Sequence, residues 1–122
     1  MKVLLSIKPE YAEKILSGEK RYEFRRAVFK NPAIKKVVIY ASSPVQKIVG
    51  EFDIEHILSL ELEDLWKRTK KYSGIDKGFY DQYFEGKDLG HAIKVKKAKR
   101  YKSFLDLESF NIKYPPQSFM YL

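Results

Sequence analysis

Between Lys20 and Leu58 the chain runs through three strand-like segments with no helical stripe between them. The first, "KRYEFRR", alternates, with Tyr22 and Phe24 on one face and Arg21, Glu23 and Arg25 on the other. The second, "KKVVIYAS", follows a turn at Asn31-Pro32 and is apolar on both faces, as a central strand is. The third, "KIVGEFDIEHIL", alternates again and sets Ile48, Phe52 and Ile54 against Glu51, Asp53 and Glu55. Gly50 inside it marks a bulge or a close backbone approach. Three strands in succession break the strict strand–helix alternation of a doubly wound fold.

The flanking segments complete the pattern. "VLLSI" (Val3 to Ile7) reads as a buried first strand, and Pro9 then fits the first turn of a helix over residues 9 to 17. Tyr11, Ala12, Ile15 and Leu16 form its apolar stripe, and Gly18 ends it. "SLELEDLWKRTKKY" has helical period, with acids leading and bases trailing in the sense that suits the helix dipole. Phe79, Tyr80, Tyr83 and Phe84 form a further helical stripe, read as core with a tyrosine hydroxyl or two at a pocket rim. "HAIKVKKAKRY" is a basic strand, "SFLDLESF" a short helix or turn, and "PPQSFMYL" a closing strand. The order β-α-β-β-β-α-α-β-β predicts one α+β domain over residues 1–122, a small partly open mixed β-barrel with flanking helices. Trp66, Phe79 and Phe84 are expected against its core.

Composition narrows the partners. Lys and Arg number 24 against 16 Asp and Glu, a net charge of +8 that favours polyanions, nucleic acid first among them. The chain has no cysteine, which removes disulfides, thiol catalysis and zinc–thiolate sites. No apolar run approaches the roughly 18 residues of a membrane span, and the N-terminus lacks a signal-peptide core. The expectation is a cytoplasmic protein without a membrane partner. Lys and Glu dominate the charges while Asn and Gln are few, a composition like that of thermophiles.

Two constellations could carry chemistry. Lys20, Glu23 and Arg25 place two cations and a carboxylate together, able to orient one another and leave donors for a phosphate or a base edge. Strand alternation points Glu23 and Arg25 outward, and spacing alone favours a surface ion pair, because exposed charges alternate on strands routinely. The second is the acid-free run around Lys94, Lys96, Lys97 and Arg100, which reads either as a phosphate-neutralising ribbon or as a solvated edge strand. His56 and His91 stand far apart with no metal-ligand spacing, and the glycines form no phosphate loop, so neither metal nor cofactor is expected. Ser42 and Ser43 supply hydroxyls outside any nucleophile elbow.

The stretch "SIKPEYAEKILSGEKRYEFRR" resembles the N-terminal signature of the ASCH domain family, part of the PUA-like superfamily. The matching positions are Lys8-Pro9, Gly18, Lys20, Glu23 and Arg25, and "VVIYASSP", "KIVGEF" and Tyr83-Phe84 with Gly86 follow in the family's order. The resemblance implies a PUA-like fold and a cleft lined by Lys20, Glu23 and Arg25, with Lys8 and Ser42 as further ligand-binding candidates. Some relatives hydrolyse the acetyl amide of N4-acetylcytidine with a Lys, a Thr three residues on and a later Glu. Lys20 matches the first, Glu23 stands at the second, and Asp76 is the only acid near the third. Two expectations follow. One is a non-catalytic RNA- or nucleotide-binding module with a basic cleft and a regulatory role. The alternative is a metal-free amidohydrolase acting on a modified nucleoside, with Lys20 and Glu23 catalytic.

Overall fold

The computed structural model describes residues 1–122. Six strands form one mixed sheet: β1 (Lys2–Ile7), β2 (Tyr22–Arg25), β3 (Lys36–Ala41), β4 (Lys47–Glu61), β5 (Leu89–Leu105) and β6 (Phe119–Tyr121). Their spatial order is β2-β5-β4-β3-β1-β6. Only β1 and β3 pair in parallel, and α1 (Pro9–Ser17) with β2 supplies the crossover that a parallel pair requires. The other helices, α2 (Leu62–Thr69) and α3 (Lys77–Tyr83), lie consecutively between β4 and β5. No helix is long and apolar enough to cross a membrane.

The apolar runs are explained by cores on both faces of the sheet. Along β1, Val3, Leu5 and Ile7 point into the curl of the sheet, where Ile15, Val37, Ile39, Phe52 and Ile93 meet them. The alternate residue, Leu4, joins Val38, Tyr40, Ile48 and Ile112 on the outside. A third cluster joins Tyr22, Phe24 and Ala92 to Leu65, Tyr80 and Phe84 of the helical layer. Strands covered on both faces need no polar alternation.

Gly50 serves both of the roles its position implied. The β3–β4 and β4–β5 registers shift beside it, and a Cβ there would lie 2.4 Å from the Lys99 carbonyl oxygen and 2.8 Å from Leu16. The helical period read from Ser59 onward begins later than expected. β4 continues through Glu61 because Ser59, Leu60 and Glu61 pair with His91, Gly90 and Leu89, and α2 starts at Leu62.

The barrel stays open along a seam. β2 is one edge of the sheet, and β6 with the end of β1 forms the other. The Arg25 side chain spans the gap, donating from Nη1 to the Ser6 carbonyl at 3.3 Å and from Nη2 to the Ser118 carbonyl at 2.7 Å. Ser6 Oγ adds a bond to the Pro116 carbonyl at 2.7 Å. Side chains close what backbone pairing leaves open.

Candidate functional site

A cavity of about 300 Å³ opens in this seam, at the low end of ligand-binding pockets. Lys8, Lys20, Glu23 and Arg25 line it together with Tyr11, Phe24, Phe79, Tyr83 and Gln117. The local chain path explains the convergence. β1 ends at Ile7, and Pro9 opens α1 immediately, leaving Lys8 at the helix entrance, where its carbonyl accepts from the Ala12 N–H at 2.9 Å. The helix ends at Gly18, and the Lys20 N–H donates back to the Lys14 carbonyl at 2.9 Å. That turn delivers Lys20 to the floor of the cavity and Glu23 and Arg25 to its wall.

Lys20 is only 2% exposed. Its Nζ donates to the Ser73 carbonyl at 2.5 Å and lies 4.8 Å from the Phe24 ring centroid and 5.6 Å from that of Tyr11. Burial lowers its pKa to about 8, against the opposing attraction of Glu23 and with a smaller push from Lys14. A lysine in this setting gains or loses its proton near pH 8.

The segment opposite is fastened carbonyl by carbonyl. Tyr72, Ser73 and Gly74 accept, in order, from the Arg21 N–H at 2.9 Å, Lys20 Nζ at 2.5 Å and Lys14 Nζ at 3.1 Å. Gly74 sits at φ +69°, and a Cβ there would lie 2.7 Å from the Lys20 stem. The stem of Lys20 therefore lies against bare backbone, which only glycine permits here.

Glu23 is 7% exposed, contrary to the outward orientation that alternation predicts. Its strand is covered on both faces. Tyr22 and Phe24 join the helical layer, while Glu23 and Arg25 turn into the seam. Arg25 Nη1 bonds Glu23 Oε2 at 3.2 Å in a nearly desolvated pair. With two carbonyls also accepting from it, Arg25 keeps only part of its five-donor fork for a ligand.

Aromatic faces complete the walls. Phe79 stacks within 11° of parallel to Tyr83 and lies 5.5 Å from Tyr11, with Lys8 Nζ 5.8 Å from the Phe79 centroid. The Tyr83 hydroxyl donates to the Phe24 carbonyl at 3.0 Å. Phe79 thus departs from the core placement expected for it. Only Tyr80 and Phe84 of the α3 stripe are fully buried, because Phe79 and Tyr83 occupy the neighbouring face that looks into the cavity. Trp66 is half-buried, its ring 4.8 Å from that of Tyr80.

The remaining sequence candidates lie elsewhere. Ser42 sits in the turn after β3, its N–H donating to the Ile7 carbonyl at 3.0 Å, and does not line the cavity. Arg100 pairs with Glu13 on α1, and Lys94 with Glu55 at 3.2 Å. Lys96 and Lys97 are exposed on β5. Asp76 spends its carboxylate as the cap of α3, accepting from the Phe79 N–H at 2.8 Å, and stays outside the cavity. Sequence reasoning did not find Lys14, the Ser73-Gly74 backbone or Gln117. "SGIDKG" signals only a turn, and no local pattern ties it to a lysine more than fifty residues upstream.

A protein-family model described as ASCH domain matches residues 5–99. The chain belongs to the ASCH domain family. A crystal structure of ASCH from Zymomonas mobilis superposes on this ASCH chain with a TM-score of 0.90 at 29% identity, covering 99% of this chain and 87% of that one. A curated relative, the ASCH domain-containing ribonuclease of Zymomonas mobilis, is 32% identical over 90 residues, 74% of this chain and 61% of the relative. The large ribosomal subunit protein uL22 of Ureaplasma parvum is 36% identical over 121 residues, 98% of this chain. The ASCH chain spans 39% of that ribosomal protein's length. The segment 116–118, which carries Gln117 and is held by Ser6 and Arg25, lies beyond the family-matched span.

Proposed function

We propose that this ASCH domain is an RNA-binding module that seats one nucleotide of a single strand in the seam cavity. The observation that carries the reading is the convergence of Lys8, Lys20 and Arg25 with the rings of Tyr11, Phe79 and Tyr83 on one nucleotide-sized space. Cations there answer a phosphate, and aromatic faces accept a base at about 1–3 kcal/mol per stack. Glu23, held by Arg25, accepts from a base amino group or fixes the guanidinium toward the phosphate. The net charge of +8 supplies attraction at longer range.

The name of the Zymomonas ribonuclease, with the lowered pKa of Lys20, favours a second reading in which the same cavity cuts the strand. Neutral Lys20 takes the proton of a ribose 2′-hydroxyl, whose oxygen attacks the adjacent phosphorus and expels the 5′-oxygen, which takes its proton from solvent. Arg25 and Lys8 balance the charge that builds on the phosphate. The amidohydrolase reading has less to work with. Of its three groups the cavity offers Lys20, with a carboxylate where the hydroxyl belongs and no acid from the Ser73–Gly78 turn.

The test is titration of a labelled RNA oligomer at fixed salt, followed by product analysis. Binding that Lys20→Met and Lys8→Ala weaken supports the module, and cleavage to a 2′,3′-cyclic phosphate adds the ribonuclease reading. Release of acetate from N4-acetylcytidine without RNA binding would replace both.

A further inference from the structure

Outside the seam, a second cavity of about 290 Å³ lies between the Lys30–Lys35 turn and strand β4. Its walls are apolar at Phe29, Ile34 and Ile57, and Lys30, Lys35 and His56 stand among them. The Ile54 N–H donates to the Lys35 carbonyl at 2.9 Å, which fastens the turn to β4. On the other side of β4 the register sets Lys94 opposite His56 and Lys96 opposite Asp53. Two stretches far apart in sequence, Lys30–Lys35 and Lys94–Lys97, thus flank the same segment of one strand.

The charges of this region do not cancel. Glu55 is taken by Lys94 at 3.2 Å, with His56 at 3.6 Å, and Asp53 by Lys36 at 2.9 Å. Lys30, Lys35, Lys96 and Lys97 form no ion pair. Lys97 also holds a left-handed conformation, φ 53°, within the register shift between Glu51 and Asp53. Glycine or asparagine suits such a bulge at lower cost, and the bulge re-aims the side chain it carries. A lysine is placed where the backbone resists it.

We infer that this groove, with Lys30 and Lys35 on its wall and the unpaired Lys96 and Lys97 across β4, forms a second contact surface for single-stranded RNA, taking backbone phosphates beyond the nucleotide in the seam. The inference rests on the RNA reading of the seam and extends it. Apolar walls for a base beside unpaired cations are what a single strand meets on its binding platforms. The competing role for exposed lysines on a strand is protection against edge-to-edge aggregation, which involves no phosphate and no salt-dependent affinity.

The experiment compares a dinucleotide with an oligouridine of about 12 nucleotides, a length within the range of single-strand sites. Both are titrated against the wild type and against K30Q/K35Q/K96Q/K97Q across a salt series, with folding checked by circular dichroism. At roughly 0.7 per phosphate contact, four contacts predict that the log–log salt slope for the oligomer flattens by about 2.8 in the variant. Oligomer affinity falls at least tenfold at low salt while dinucleotide affinity is unchanged. The double variant K96E/K97E, which changes the net charge by the same amount, also lowers oligomer affinity. An oligomer slope and affinity equal to wild type in the lysine variants, with dinucleotide binding intact, overturns the second surface and leaves the seam reading standing. Failure of wild type to bind either RNA overturns the seam reading itself. Binding to anionic phosphatidylserine vesicles in place of the oligomer assigns the lysines to a membrane surface and likewise overturns the inference.

Discussion

The seam cavity and the second surface along β4 both gather lysines, and they hold them in different ways. Lys20 is sealed under Ser73 and Gly74 with its charge near the point of release, whereas Lys96 and Lys97 stand in water. A sealed cation is expensive to keep charged, and an anion that enters its pocket meets it at low dielectric in a fixed place. An exposed cation costs nothing to keep and acts mainly through attraction that salt screens. The first arrangement suits recognition of one chemical group. The second suits attraction of a chain.

The largest expected effect separates the buried ion pair from an exposed one. Arg25→Ala leaves Glu23 charged, buried and unpaired and removes the bond that holds Ser118 to the seam, so urea denaturation is expected to show a loss of about 3–5 kcal/mol. Arg100→Ala, which breaks the exposed pair with Glu13, costs under about 1 kcal/mol. Equal losses at the two sites would erase the contrast.

Next comes pH. From pH 8 to about 10 the folded Lys20 has lost its proton while the unfolded lysine, with a pKa of 10.5, still holds it. The unfolded state binds more protons in that window, so stability rises with pH by on the order of 3 kcal/mol at most. Above pH 10 the phenols of buried Tyr80 and half-buried Tyr101, pushed up to about 12, stay protonated in the fold alone, and the slope reverses. Dinucleotide affinity runs the other way and falls as pH passes 8, because the cation facing the phosphate disappears. Lys20→Met is expected to flatten the rise in stability between pH 8 and 10 and the affinity profile alike.

Gly74→Ala probes the seal without replacing a cavity residue. Its φ of +69° and the clash with the Lys20 stem predict a loss of about 2 kcal/mol in thermal unfolding together with weakened dinucleotide binding. Gly18→Ala also sits at positive φ, 88°, but meets nothing within 4 Å, so it costs about 1 kcal/mol and leaves binding intact. The smallest effect belongs to the groove. Lys97→Gly relieves a left-handed lysine and is expected to raise stability by up to about 1 kcal/mol while removing about 0.7 from the oligomer's salt slope.

How much of this was legible in the sequence depended on whether the cause was local. α1 could be placed at Pro9–Ser17 because Pro9 opens it and Gly18 closes it, both local devices. The both-face apolar run of β3 declared its interior position for the same reason. The membership of Lys20, Glu23 and Arg25 in one cluster was visible as a motif, but the burial of Glu23 was not. Alternation reports which residues share a face, and it cannot report that a strand edge will curl against Ser6 and Ser118. Phe79 was misplaced because a helix of seven residues can present aromatics to two neighbouring faces, and period alone does not say which one is covered. The placing of Lys30–Lys35 and Lys94–Lys97 on either side of β4 depends on sheet order, which no window of sequence contains.

The central claim is that a buried lysine in the seam meets an RNA phosphate, and the Lys20 side chain can be followed directly. Carbon-13-labelled lysine, observed at Cε by NMR and assigned with Lys20→Arg, reports its titration in the free protein and with a saturating dinucleotide. The account predicts a midpoint near pH 8 without ligand, moving upward when the phosphate is bound, since a neighbouring anion favours the charged form. A midpoint above 10 in the free protein, unmoved by the dinucleotide, would contradict it.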